Sequence, residues 1–209
     1  MRLRLLAFSD WRVQKISYIF DFIQKLKEPV DFILYAGDDI RRFKEGKVNY
    51  FTELAKYTKQ KKILAVIGND DTYDVKSILK DKNIQDLHEE PFIYQDFAFI
   101  GLEGSTRGPG WVVYSEEEVK KHLKKQLQKI KKKRKGEKLI VLSHTPPYGI
   151  LDRGIRFAKY FGHHTGSTAL REFIQKHKVS LVICGHCHSH GGLLERLKDT
   201  IVVNVSSHD

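Results

Sequence analysis

Short apolar runs, each closed by small or polar residues, recur along this chain with amphipathic stretches between them. LRLLAFS, VDFILYAG, KKILAVIGN, EKLIVLSH, VSLVICGH and TIVVNVSS are apolar at successive positions, the mark of strands covered on both faces. Helices are expected between them: WRVQKISYIFDFIQKLK, a stretch near Tyr50 to Lys59, a short one near Tyr73 to Lys80, a Lys-rich segment over residues 115–138, and one from about Ser167 to His177. A strand pair is expected around PFIYQDFAFIGL. Alternation of this kind predicts an α/β protein with largely parallel sheets under helices, and the later pairs add antiparallel edges. No internal repeat and no long linker interrupts the 209 residues, so residues 1–209 read as a single domain.

Composition narrows the class. No apolar stretch approaches the roughly 20 residues that span a bilayer, and MRLRLLAFSD ends its short apolar run at Asp10 without a cleavage site, so it reads as a first strand. Two cysteines three apart make no disulfide framework. A soluble cytoplasmic protein, with no membrane contact, is the expectation. The net charge of +11 suggests nucleic acid until its location is considered: 11 Lys/Arg stand against 4 Glu between Ser115 and Lys138, so this segment carries seven of the eleven. Ser115 and Glu118 form a capping box, and Val119, Leu123, Leu127 and Ile130 an apolar stripe. A solvated surface helix is one reading of it, and attraction to a phosphate backbone is the other.

The chemistry lies where the strands end. Five apolar runs close in Ser9-Asp10, Gly37-Asp38, Gly68-Asn69-Asp70-Asp71, Ser143-His144 and Gly185-His186-Cys187-His188. The carboxyl edge of an α/β sheet is where ligands bind, and carboxylates, imidazoles and an amide oxygen suit Mn, Fe or Zn. One Asp or His after a strand is often only a cap or a turn; five in succession are a pattern.

Those five blocks, SDWR, GDDI, GNDD, SHTPP and GHCH, resemble in order the signature of the calcineurin-like metallophosphoesterases. Within that superfamily, HTPPYGILDRG and GHHTGSTALREFI look like the small prokaryotic predicted phosphoesterases related to the cyclic-nucleotide phosphodiesterase Icc. The resemblance implies the metallo-dependent phosphatase fold, a four-layer α-β-β-α sandwich of two mixed sheets flanked by helices. It also implies one or two divalent ions. Asp10, Asp38 and His188 would hold one; Asp38, Asn69, His144 and His186 would hold the other, with Asp38 bridging. Phosphoester hydrolysis by a metal-activated water follows, on a nucleotide or other small diester more readily than on a monoester.

Two departures from the family pattern matter. Arg12 replaces a metal-binding His and cannot ligate. It either neutralises a substrate phosphate, as a catalytic and substrate-binding residue, or pairs with a neighbouring Asp. Asp70 replaces the His that protonates the leaving group in many members. It could serve as the acid only if burial or neighbouring carboxylates keep it protonated; otherwise activated or phenolic leaving groups are favoured. Asp71 and His164 are further candidates for substrate binding, and the Gly166-Ser167 helix start is either a phosphate site or an ordinary cap.

Cys184 and Cys187 read as a buried apolar residue and a spacer between ligating histidines, because no second ligand pair exists for a zinc finger. His190 is a turn residue or a donor to a ligand. EGSTRGPG, residues 103–110, lacks phosphate-loop spacing and reads as a connection lining the cleft. Two rival functions stand beside the enzyme: a protein-interaction scaffold with a degraded site, and a nuclease that holds its substrate on the Lys-rich helix. Oligomeric state is open. The stop at Asp209 directly after a strand, where relatives commonly continue, raises the expectation of a missing C-terminal strand or of a longer parent chain.

Overall fold

The computed structural model describes residues 2–12, 14–131, 138–154 and 162–207. The end of the Lys-rich segment, residues 132–137, lies outside them, as does Asp209. In chain order, β1 (Leu5–Phe8) is followed by α1 (Ile16–Gln24), β2 (Phe32–Tyr35), a small hairpin of β3 (Lys44–Glu45) and β4 (Val48–Asn49), α2 (Tyr50–Ala55) and β5 (Ile63–Ala65). A 3₁₀ segment, Tyr73–Lys80, leads to β6 (Ile84–Asp86), β7 (Phe92–Tyr94) and β8 (Phe97–Leu102). Then come α3 (Glu116–Lys131), β9 (Lys138–Ser143), α4 (Thr168–Lys176), β10 (Val179–Cys184), β11 (Leu194–Leu197) and β12 (Thr200–Asn204).

Two sheets form the middle of the molecule. One has the order β1-β2-β5-β6 and is parallel throughout; the other, β11-β12-β10-β9-β8-β7, is parallel in its centre with antiparallel β7 and β11 at its edges. Mixing is thus confined to the six-stranded sheet, because every connection between strands of the first is a crossover.

Strand periodicity sorts the apolar side chains into three cores. In β2, Ile33 and Tyr35 face α1 and α2 while Phe32 and Leu34 face the second sheet. In β9, Ile140 and Leu142 meet that same inter-sheet core, and Leu139 and Val141 pack under α3 and α4. Both faces of each central strand are therefore dry, which is why their sequences show no alternation. Leu123, Leu127 and Ile130 of α3 and Leu170 and Phe173 of α4 complete the outer core, leaving the lysines of α3 on the solvent side.

Elements weak in the sequence are edge or irregular pieces. β11 reads LERL and is mostly exposed, and β6 is three residues with two polar positions. The first helix begins at Ile16 rather than Trp11, because the chain turns at Asp10, where the Arg12 amide donates to the Asp10 carbonyl at 2.7 Å. The stretch Tyr73–Lys80 winds as a 3₁₀ helix.

The capping box of α3 forms, with Glu118 accepting from the Ser115 amide at 2.7 Å and Ser115 accepting from the Glu118 amide at 3.3 Å. Its neighbour Glu116 does something the sequence did not announce. Its carboxylate accepts from the backbone amides of Thr168 and Ala169, both at 2.9 Å, and from the Ser167 hydroxyl at 2.7 Å. Of the two readings of the α4 start, a phosphate site or an ordinary cap, the structure shows the cap: Ser167 accepts from the Leu170 amide, and the position open to an anion is filled by a protein carboxylate. A negative group at a helix N-terminus is favoured by the dipole, and although burial opposes it, these hydrogen bonds hold Glu116 below the usual carboxylate range. Replacing Glu116 by Ala should lower stability by about 1–3 kcal/mol, measured by thermal and urea unfolding. The exposed neighbour change Glu117→Ala should stay within about 0.5 kcal/mol.

Candidate metal centre

Three strand ends adopt left-handed backbone at non-glycine residues: Asp10 after β1, Asp38 after β2 and His186 after β10, with φ of 54°, 61° and 68°. Such backbone costs an L-residue roughly 1–2 kcal/mol and persists only where the surroundings enforce it. Here they do. The Asp10 amide donates to the Gly37 carbonyl at 2.9 Å, and the Asp10 carbonyl accepts the Ser207 hydroxyl. The Asp38 amide donates to Asp71, the Asp38 carbonyl accepts from Tyr35, and the His186 amide donates to Asp10 Oδ2 at 3.2 Å. Glycines permit the approach. A Cβ on Gly68 would stand 1.9 Å from Asp38 Oδ1, and one on Gly185 would stand 2.7 Å from Asp10 Oδ2.

The two sheets meet at this edge through Ser9, whose amide donates to Val205 and whose carbonyl accepts from the Ser207 amide, pairing the end of β1 with the segment after β12. Strand ends from both sheets therefore converge. Asp10, Asp38 and His144 offer ligand atoms that all lie within 4.8 Å of one another, and all three are buried. Asn69 Oδ1 lies 2.9 Å from His144 Nε2, Asp38 Oδ2 lies 3.5 Å from it, and His188 Nε2 lies 3.1 Å from Asp10 Oδ1. The His186 ring stands edge-on to that of His144 at 5.2 Å between centres.

Hydrogen bonding fixes which atoms face inward. His144 Nδ1 is 2.7 Å from the Ala36 carbonyl and so carries a proton. The Asn69 amide nitrogen donates to Asp70 and to the Pro109 carbonyl, which leaves its oxygen toward His144. In a neutral His144, the Nε2 lone pair therefore faces two oxygens. Only a positive centre, a cation or a proton on Nε2, relieves that arrangement. Burial pushes the Asp38 carboxyl up to about 7, and the Asp10, Asp71 and Asp70 charges add to the rise against His144. Burial would also raise Asp10, but the hydrogen bond from His188 and the charges of His144 and His188 outweigh it and hold Asp10 low. Burial, with the His144 charge beside it, brings His186 down to about 3, the neutral form a ligand needs. Carboxylate, amide-oxygen and imidazole donors around one point suit a divalent cation.

The remaining expected residues divide. Arg12 lies on the cleft wall but is already paired: 2.9 Å from Asp70, 3.5 Å from Asp39 and 3.8 Å from Asp38. Asp70 also lines the cleft, with its side chain 48% exposed and bound to Arg12 at 2.9 Å. Asp71 turns inward. Its oxygens accept from the backbone amides of Asp38, Gly68 and Ile40, and it ties the two loops together below the cleft. His164 is 2.7 Å from the buried Asp152, which also accepts from the amides of Gly149 and Gly166 and so closes the base of the loop after β9.

Cys184 is buried in the outer core, and Cys187 is buried with its sulfur 3.3 Å from the Thr165 hydroxyl; burial pushes its thiol up to about 12, far from a reactive thiolate. His190 sits in a short turn, its Nδ1 3.2 Å from the Ser189 hydroxyl. The cleft above the cluster, about 110 Å³, is also walled by Arg107, Gly108 and Pro109. The Gly-rich stretch 103–110 signalled a lining connection, but nothing in its spacing singled out Arg107.

Comparison with known proteins agrees with this geometry. A model of the calcineurin-like phosphoesterase family matches residues 3–190. One solved structure superposes with a TM-score of 0.72 at 21% identity, covering 99% of this chain and 91% of the other. TT1561 of Thermus thermophilus gives 0.68 at 17% identity, covering 99% and 90%. The phosphopantetheinyl hydrolase PptH of Mycobacterium tuberculosis gives 0.62 at 13%, covering 98% and 89%. At these identities the likeness establishes the fold alone, that of the metallo-dependent phosphatases. None of the curated proteins matches. Because the family match runs through every one of the five strand ends that meet at Asp38, the chain belongs to the calcineurin-like phosphoesterases.

Proposed function

We propose that this chain is a metal-dependent phosphodiesterase acting on a nucleotide or another small diester. The observation that carries the reading is the convergence of Asp10, Asp38 and His144 donor atoms within 4.8 Å, with the Asn69 oxygen aimed at the same point. Asp38, Asn69, His144 and His186 would hold one cation, drawn from Mn, Fe or Zn. Asp10, Asp38 and His188 would hold a second. A divalent ion there supplies Lewis acidity toward the phosphoryl group and an acidified water as nucleophile.

The protein's own residues set the rest. Asp38 is anchored by the Asp70 amide on Oδ1, which fixes its orientation. Arg12 brings a permanent positive charge to the cleft, where it competes with a second cation for Asp38. The first cation site is then the stronger one. With Arg12 neutralised by three carboxylates, the floor offers less positive charge to a phosphoryl group, which favours a diester, with one negative charge, over a monoester with nearly two. Asp70, half-exposed and ion-paired, leaves the departing oxygen without a protein acid, so phenolic or otherwise activated leaving groups react best.

No lysine of α3 lines the cleft, so the nuclease reading has no support from the site. A scaffold role would predict little bound metal. No described helix is long and apolar enough to cross a membrane, and the cytoplasm is the proposed compartment.

Purified protein should contain close to one equivalent of a transition metal by elemental analysis and should hydrolyse an aryl phosphodiester with added Mn²⁺. Asp38→Asn should reduce both metal content and turnover, turnover by about 100-fold or more, since even partners that only orient a ligand carry 10–100-fold effects. Absence of both bound metal and hydrolysis in the parent protein would sink the proposal. Arg12→His should raise the titrated Mn²⁺ stoichiometry from near one toward two, and an unchanged stoichiometry would show that Arg12 does not exclude the second ion.

A further inference from the structure

The two arginines of the cleft differ in how their charge is met. Arg12 has three carboxylates within 4 Å. Arg107 has none among the described residues; its guanidinium carbon stands 5.4 Å from the centre of the Tyr148 ring, a cation–π separation. Arg107 lies on the connection after β8 and Tyr148 on the connection after β9, so this contact reaches from one loop of the cleft to the other. Arg107 is exposed, whereas Asp38 and His144 on the floor are buried. Its charge therefore stands at the mouth, outward of the cation ligands.

The connection that carries Arg107 is fastened to the site. The amides of Trp111 and Val112 both donate to the Asn69 carbonyl, at 2.7 and 3.2 Å, and the Asn69 side-chain nitrogen donates to the Pro109 carbonyl at 3.0 Å. The Gly104 amide donates to Ile67. Gly110, at φ 148°, has no room for a Cβ, which would stand 2.6 Å from the Asn69 carbonyl oxygen. One residue, Asn69, thus presents its side-chain oxygen to the cation cluster and holds with its carbonyl and its side-chain nitrogen the loop that bears Arg107. The Tyr148 loop is fixed as well, by the Tyr148 amide donating to Ser167 and by Arg171 donating to the Tyr148 carbonyl at 2.6 Å.

An arginine with no counter-ion among the described residues, held against an aromatic face on a fastened loop, is a pre-organised fork for an anion. The geometry points to Arg107, steadied by Tyr148, as the receptor for a second phosphate on the substrate, adjoining the ester that is cleaved. This rests on the phosphoesterase reading above and deepens it: the substrate class becomes phosphoesters in which a further phosphate neighbours the scissile one. The inner phosphoryl group would lie on the cation ligands, and the outer one under Arg107.

Calorimetric titration of the protein at constant saturating Mn²⁺ with AMP and with ADP tests this without turnover. Chelation of Mn²⁺ by ADP is the same for every variant and cancels between them. Wild-type protein should bind ADP more tightly than AMP. Arg107→Gln should weaken ADP binding about tenfold or more, as loss of a charge-assisted hydrogen bond does, and AMP binding by less than about threefold. Arg107→Lys should recover only part of the loss, because a point charge lacks the planar fork. Equal losses for the two nucleotides on Arg107→Gln, or no loss for ADP, would overturn the assignment. Absence of diester hydrolysis would overturn the phosphoesterase reading instead, and the binding constants would still be measurable.

Discussion

A carboxylate shut away from water needs positive charge within reach, and this protein gathers two of them, Asp10 and Asp38, beside imidazoles at a single point. That demand organises the rest of the molecule. It explains why three residues accept unfavourable backbone at the strand ends, why glycines precede Asp38 and Asn69, and why Asp71 lies buried beneath them with its oxygens given to backbone amides. Two sheets with dry faces supply the rigidity that holds side chains from five strand ends in register.

Arg12 changes the balance of that point. A histidine there would be a neutral ligand, whereas a guanidinium shares the carboxylates as a permanent cation. Of the side chains that meet it, Asp38 is a proposed ligand of the second ion and Asp70 the candidate nearest the leaving oxygen, while Asp39 adds a third carboxylate. The cleft is therefore asymmetric, with a buried Asp/Asp/His cluster that could hold a cation on one side and the fixed charge of Arg12 beside it. Arg107 also lines the cleft, and among the described residues it meets an aromatic ring and no carboxylate.

Much of this was legible in the sequence. Strands buried on both faces are written as unbroken apolar runs, and the polar residues that end them stand out by contrast, so Asp10, Asp38, Asn69, His144, His186 and His188 could be named from order alone. What could not be read depends on contacts between remote segments. Glu116 fills the start of α4 across 51 residues of sequence, a match that no local spacing encodes. Asp71 had the right chemistry for the cleft, but its direction follows from the amides of Asp38 and Ile40, which belong to another strand end. Edge strands such as β11, with no second face to cover, carry too little apolar signal to be seen.

The pairing of Ser9 with Ser206, and of the Asp10 carbonyl with the Ser207 hydroxyl, has a consequence for biosynthesis. Asp10, among the first residues made, is held in its left-handed conformation by residues made long after it. A nascent chain can fold its first sheet early, yet the backbone geometry at Asp10 is complete only once the segment after β12 has been made.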